Sequence, residues 1–123
     1  MSQLAIKGEI LKQLVLSLIF LIFMPPLAAE QGNKPLIIDV RTPAEWNEGH
    51  LLNAKHIEWQ EIGERIAGIT SSKDETIYVY CRTGNRSGKA KEILDQLGYS
   101  DVINAGGVSE AQDFIDSAEA AHE

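Results

Sequence analysis

The sequence predicts an α/β sandwich, a central, mainly parallel sheet flanked by helices on both faces and preceded by a signal peptide. Three observations predict it. After residue 30, short apolar runs alternate with short amphipathic stretches, the pattern of strand–helix units. Two of those runs, residues 36–40 (LIIDV) and 76–80 (TIYVY), are rich in β-branched or aromatic residues, as in strands covered on both faces. The first 29 residues have a different character altogether.

That leading segment opens with Lys7 and Lys12, continues with the apolar run 14–24 (LVLSLIFLIFM), and ends in Pro25, Pro26 and the small pair Ala28 and Ala29. A basic start, a greasy run, a helix breaker and small residues are the layout of a secretory signal. A spanning helix needs about 20 apolar residues, so this run is short for one. Cleavage is expected after Ala29, although Leu27 is larger than the residue preferred three places before a cut. An uncleaved N-terminal anchor is the alternative, and both readings export residues 30–123. After cleavage no stable membrane association is expected, and the protein is periplasmic if its source is a Gram-negative bacterium.

Charge and cysteine usage narrow the function. The 123 residues carry 11 Lys+Arg against 18 Asp+Glu, a formal charge of −7. An acidic chain is a poor partner for nucleic acid or an anionic membrane, which require a basic surface. One cysteine allows neither an internal disulfide nor a Cys-rich zinc site. An unpaired thiol in an exported protein reads as reactive or as an intermolecular partner. A short acidic chain is expected to be a monomer.

The elements follow in order. Residues 36–40 form the first strand. Thr42 caps a short helix, with Pro43 at its first position, Glu45 closing a capping box and Gly49 ending it. Residues 54–57 suggest a second strand. Ile62, Ile66 and Ile69 make a helical stripe over residues 61–69, weakened by Gly63 and Gly68. Residues 71–74 are a polar loop, and 76–80 is the strongest strand. Residues 87–97 form a helix with Ala90, Ile93, Leu94 and Leu97 on one face, stopped by Gly98. Val102 and Ile103 give the last strand, ended by Gly106 and Gly107. Ser109 then caps a final helix, with Gln112 as its reciprocal partner and Ala111, Phe114, Ile115 and Ala118 buried. The tail after Ala118 is expected to fray.

Ligands of such sheets bind beyond the carboxyl ends of the strands. Cys81 stands there, directly after the 76–80 strand. Residues 81–86, Cys81-Arg82-Thr83-Gly84-Asn85-Arg86, are expected to separate that strand from the helix opening at Ser87. Gly84 and Asn85 tolerate left-handed backbone angles, so the loop can turn its N–H groups inward as an anion-binding nest. The helix N-terminus adds partial positive charge. Arg82, Arg86, Lys89 and Lys91 gather cations around it. All of this favours thiolate and predicts a Cys81 pKa below the free value of about 8.5. A buried, inert cysteine is the bland alternative.

Strand, Cys-Arg-x-Gly-x-Arg and helix together resemble the active-site loop of the rhodanese family of sulfurtransferases. Asp39-Val40-Arg41 resembles the family's first motif, Glu45 with Gly49-His50-Leu51 and Ala54 its next segment, and Asn104-Ala105-Gly106-Gly107 its final Gly-Gly turn. Export and length are most similar to the phage-shock type. The chain departs at Asn53, His56 and Glu58, where the family has Gly, Asn and Pro, and it lacks a tryptophan after the Gly-Gly turn. The resemblance implies that Cys81 carries a persulfide between a small sulfur donor such as thiosulfate and an acceptor such as cyanide or a thiol. It implies that Arg82, Thr83, Gly84, Asn85 and Arg86 bind the substrate. No cofactor is implied, and His50, His56 and His122 lack metal-ligand spacing.

Asp39 and Arg41 are supporting residues, read equally as groups that orient the loop arginines or as a structural ion pair. His50 reads better as a hydrogen-bonded structural histidine than as a general base. Trp46 and Trp59 are core or groove walls. Lys89 and Lys91 are steering or merely solvated charges. Alternative functions are an exported sulfur-carrier or docking module and, less favoured, a cysteine phosphatase or arsenate reductase. Those enzymes use Cys-x5-Arg, whereas here position 87 is Ser and the arginine falls one residue sooner.

Overall fold

The computed structural model describes residues 34–121. The expected signal peptide, residues 1–29, lies outside them. The described residues form β1 (Leu36–Asp39), α1 (Pro43–Glu48), β2 (Lys55–His56), α2 (Ile62–Arg65) running into a 3-10 turn (Ile66–Gly68), β3 (Ile77–Tyr80), α3 (Asn85–Gln96), β4 (Val102–Asn104) and α4 (Val108–Ala121). The four strands pair in the order β2-β1-β3-β4, all parallel. Chain order reverses between β1 and β3, so the crevice beyond their carboxyl ends is the switch point where such sheets hold ligands.

Strand alternation divides the interior in two. Ile38, Ile77, Val79 and Val102 pack with Ile62 and Ile66 of the α2 segment and Ala90 and Leu94 of α3. Ile37, Tyr78 and Tyr80 face the other way, toward Ala111 and Ile115 of α4. Both faces of the sheet are therefore covered, which is why the strands read as continuous apolar runs.

Local signals explain most element ends. Thr42 caps α1 as expected: its Oγ1 accepts the Glu45 N–H, and Glu45 Oε1 accepts the Thr42 N–H at 3.3 Å. The 61–69 stripe does not make one α-helix. It tightens to a 3-10 turn after Arg65, and Gly63 in its first part lets α2 approach α3, since a Cβ there would stand 3.1 Å from Ile93 Cγ2.

Two helix starts differ from expectation. α3 begins at Asn85, two residues early, because Gly84 takes the left-handed turn (φ 95°) and leads straight into the helix. α4 begins at Val108, so Ser109 lies inside it and caps nothing. The Ala111 N–H donates to Gly107 O instead, and Gln112 reaches Asp116. Phe114, expected in the core, is 47% exposed, and Leu97, just past the end of α3, is also exposed. The C-terminal part of α4 continues to Ala121.

Candidate functional site

The alternation of β3 sets the direction of Cys81. Ile77 and Val79 face α3, so two residues further Cys81 faces it too. Its sulfur meets the start of that helix. The Gly84 N–H points at Sγ from 3.0 Å and the Ser87 N–H from 3.5 Å, while Ser87 Oγ lies 3.3 Å away. The expected nest is present, but it is shorter than six residues. Only Arg82, Thr83 and Gly84 separate the cysteine from the helix, and Asn85 is helical rather than left-handed.

The sulfur shares one feature with the bland alternative, its burial: Cys81 is 0% exposed, folded under its own loop. Burial pushes its pKa up, yet the hydrogen bonds from the Ser87 hydroxyl and from the backbone N–H groups of Ser87, Thr83 and Gly84 together outweigh it. The net shift is downward, toward thiolate.

The arginines divide. Arg86, in the first turn of α3, forks onto Glu45 of α1 with contacts of 2.6 and 3.0 Å. That pairing holds the Glu45 pKa down to about 2 and raises that of Arg86. Arg86 still feels the Cys81 charge but is not aimed at the sulfur. Arg82 is exposed and has no salt bridge among the described residues. It lines an open hollow of about 620 Å³ together with Arg41, Glu45, Glu48, Ser109 and Glu110. Cys81 is not part of that lining.

Asp39 and Arg41 form an ion pair. The Arg41 side chain meets both Asp39 carboxylate oxygens at 2.7 to 3.0 Å, and its NH2 also donates to Gly49 O. Both residues are buried. Thr83 and Asn85 are exposed on the loop. His50 stacks on Trp46 with ring centroids 3.4 Å apart, and its Nδ1 lies 3.1 Å from Leu51 O. His56 stands on Trp46 at 5.0 Å and contacts Arg41 O. Lys89 covers the Trp59 ring, and Lys91 pairs with Asp95.

Three residues make contacts at the site that the sequence does not show. Ser87 is fully buried against the sulfur. A signal for this existed, since Ser87 lies on the same 3-4 stripe as Ala90 and Leu94. Asn104 accepts the Ser87 hydroxyl at 2.6 Å and the Gly106 N–H at 3.1 Å on Oδ1, and its Nδ2 donates to Gly84 O at 2.9 Å. The sequence shows Glu45 in its capping box and in the segment with Gly49-His50-Leu51; its tie to Arg86 is not legible there, because that partner is remote in sequence. The Gly-Gly turn closes the site from below. The Cys81 N–H donates to Gly106 O, and a Cβ on Gly107 would fall 2.6 Å from Arg82 O.

This arrangement can hold one ionised sulfur beneath inward-facing amides and close to cations. The chain is similar to known proteins. The rhodanese-like domain family profile matches residues 26–113. The thiosulfate sulfurtransferase PspE of Escherichia coli is 40% identical over 99 residues, covering 80% of this chain and 90% of that protein. The thiosulfate sulfurtransferase GlpE of Pseudomonas aeruginosa is 31% identical over 75 residues, covering 61% of this chain and 66% of that protein. A solved rhodanese with anions from E. coli superposes with a TM-score of 0.60 at 43% identity, covering 63% of this chain and 91% of that one.

Proposed function

The chain belongs to the rhodanese-like family of sulfurtransferases, and from that premise we propose that Cys81 takes sulfane sulfur from thiosulfate or a related small donor and passes it to a thiophilic acceptor such as cyanide or a thiol. The Cys81 thiolate attacks the outer sulfur of thiosulfate. A sulfur–sulfur bond forms to Sγ, the donor's sulfur–sulfur bond breaks, and sulfite leaves with the electron pair. The acceptor then attacks the outer sulfur of the persulfide, and Sγ departs as thiolate.

The observation that carries this reading is the cradle: N–H groups of Gly84 and Ser87 directed at one sulfur, with its pKa lowered despite complete burial. Amides in that position stabilise the thiolate before attack and again as leaving group. Thr83 and Asn85 shape and border the loop. Arg82 at the mouth draws in the dianionic donor, and Arg86, held by Glu45, adds positive potential near the sulfur. Cys81 has no exposed surface, so the donor reaches its sulfur only with some local opening around it. The Asp39–Arg41 pair fixes the end of β1, the strand paired with β3, which carries Cys81 at its end.

The N-terminal pattern of residues 1–29 supports export of this sulfurtransferase with cleavage near Ala29. N-terminal sequencing of the secreted form checks it, and a start well before Glu30 rejects that cut.

The enzymatic test is initial-rate kinetics with thiosulfate and cyanide. Ping-pong behaviour is expected, together with a mass gain of about 32 Da on Cys81 after thiosulfate alone. Transfer that survives Cys81→Ala rejects the mechanism. Hydrolysis of phosphate esters, or reduction of arsenate, with no sulfur transfer places the chain with the cysteine phosphatases or arsenate reductases instead.

A further inference from the structure

We propose that Asn104 is a positioning residue for sulfur transfer: acting through the Ser87 hydroxyl, it accepts that hydroxyl's hydrogen bond whenever Sγ is uncharged and yields it when Sγ is a thiolate. The inference rests on the persulfide reading above and adds to it the device that senses the charge on Sγ.

The Ser87 hydroxyl has one proton and two neighbours that could take it, Cys81 Sγ at 3.3 Å and Asn104 Oδ1 at 2.6 Å. The Asn104 carboxamide cannot turn over. Its Oδ1 accepts the Gly106 N–H and its Nδ2 donates to Gly84 O, so a flip would set donor against donor and acceptor against acceptor. Oδ1 is therefore an acceptor only. With a protonated thiol the chain S–H to Oγ–H to Oδ1 satisfies every group. A thiolate cannot donate. The hydroxyl then turns to the charged sulfur, because a charge-assisted bond is about twice as strong as a neutral one, and Oδ1 keeps the Gly106 N–H.

In the persulfide the charge lies on the outer sulfur and Sγ is neutral, so the hydroxyl returns to Asn104. Each half-reaction thus turns one hydroxyl. Asn104 opposes the free thiolate slightly and favours the loaded enzyme. The charged groups around the loop are Asp39 from β1 and Arg41 just after it, Glu45 and Glu48 from α1, Arg82 from the loop, Arg86 from α3 and Glu110 from α4. None of them is altered in the comparison below.

The test reads the single cysteine by thiolate ultraviolet absorbance and by alkylation rate against pH, in wild type, Ser87→Ala, Asn104→Ala and the double variant, each checked by thermal melting. Ser87→Ala is expected to lower the thiolate fraction at a fixed pH below the midpoint. Asn104→Ala is expected to raise it about threefold, the size of one ordinary hydrogen bond. The double variant is expected to match Ser87→Ala, since Asn104 acts only through the hydroxyl. A fall in thiolate on Asn104→Ala, or an equal effect with Ser87 already removed, overturns the proposal and leaves Asn104 a mere brace of the loop. If Asn104→Ala does not fold, Ser87→Ala still decides: an unchanged midpoint means that the hydroxyl never serves the sulfur. None of these readouts needs turnover. The expected pattern of midpoints in a protein that never gains sulfur sinks the proposed function and the role in transfer with it, and leaves only the hydroxyl's response to the charge on Sγ.

Discussion

At the scale of single residues, charge and space around one sulfur govern the site. Glu45 joins the α1 cap to the first turn of α3, since the same carboxylate serves Thr42 and Arg86. Its pKa is lowered to about 2, first by the Arg86 side chain. A carboxylate depressed in the fold stabilises above its unfolded value of about 4.5, and that gain is lost as pH falls toward about 2. Wild type should therefore exceed Glu45→Gln by about 1 to 2 kcal/mol near neutral pH. Urea midpoints taken from pH 7 down to 2 check this, and the gap should close across the acid limb alone. Arg86→Ala should lower kcat/KM with thiosulfate about tenfold, or about 1.4 kcal/mol of barrier, because the positive charge near Sγ is lost. An unchanged kcat/KM would assign Arg86 to the Glu45 tie alone. Gly107→Ala should be worse for the loop, since its new methyl would displace the Arg82 carbonyl. We expect a loss of about 1 to 3 kcal/mol in thermal unfolding together with a fall in transfer rate.

At the scale of elements, turns and helix starts carried the surprises. The sequence located each strand, the α1 capping box and the left-handed Gly84, because each rests on local chemistry: apolar runs, Thr-x-x-Glu, a glycine before a helix. Ser109 satisfied the same local rule and failed, because the chain leaves Gly106 (φ 79°) already aimed into α4, and Gly107 O takes the first helical bond. The Arg86–Glu45 pair and the Ser87–Asn104 contact were illegible for a different reason. They join residues brought together only by the β1–β3 and β3–β4 pairings. Asn53 repays the attention given to it as a departure, since it is the non-glycine residue at positive φ (65°) among the described residues, in the turn before β2. Asparagine tolerates that region and glycine prefers it. Asn53→Gly should leave stability within about 0.5 kcal/mol of wild type, whereas Asn53→Val should cost about 1 to 2 kcal/mol. Chemical denaturation of the two variants separates them, and equal stabilities would mean that the turn relaxes out of the left-handed region.

At the scale of the whole molecule, two half-cores share one sheet, and Tyr80 ties the second of them to the crossover between α1 and β2. It ends β3 on the face opposite Cys81, fully buried, and its hydroxyl accepts the Leu51 N–H at 3.1 Å. The Arg41 guanidinium stands over its ring, so the same side chain also steadies the end of β1. Alternation thus gives β3 two duties, presenting the nucleophile on one face and anchoring the wall of the switch point on the other. Burial raises the Tyr80 pKa to about 12. A phenol raised in the fold stabilises fully below its unfolded value of about 10, and that contribution is lost as pH climbs through about 12. Tyr80→Phe keeps the ring but leaves the Leu51 N–H without a partner, which should cost about 1 to 2 kcal/mol at neutral pH. The variant has no phenol to ionise, so its alkaline limb should be flatter, and the gap to wild type should narrow between pH 10 and 12. Sulfur transfer near neutral pH should change little, because Tyr80 and Sγ lie on opposite faces of the sheet. Paired denaturation curves across that range decide the point: a constant gap would mean that Tyr80 ionises as freely in the folded protein as in the unfolded chain.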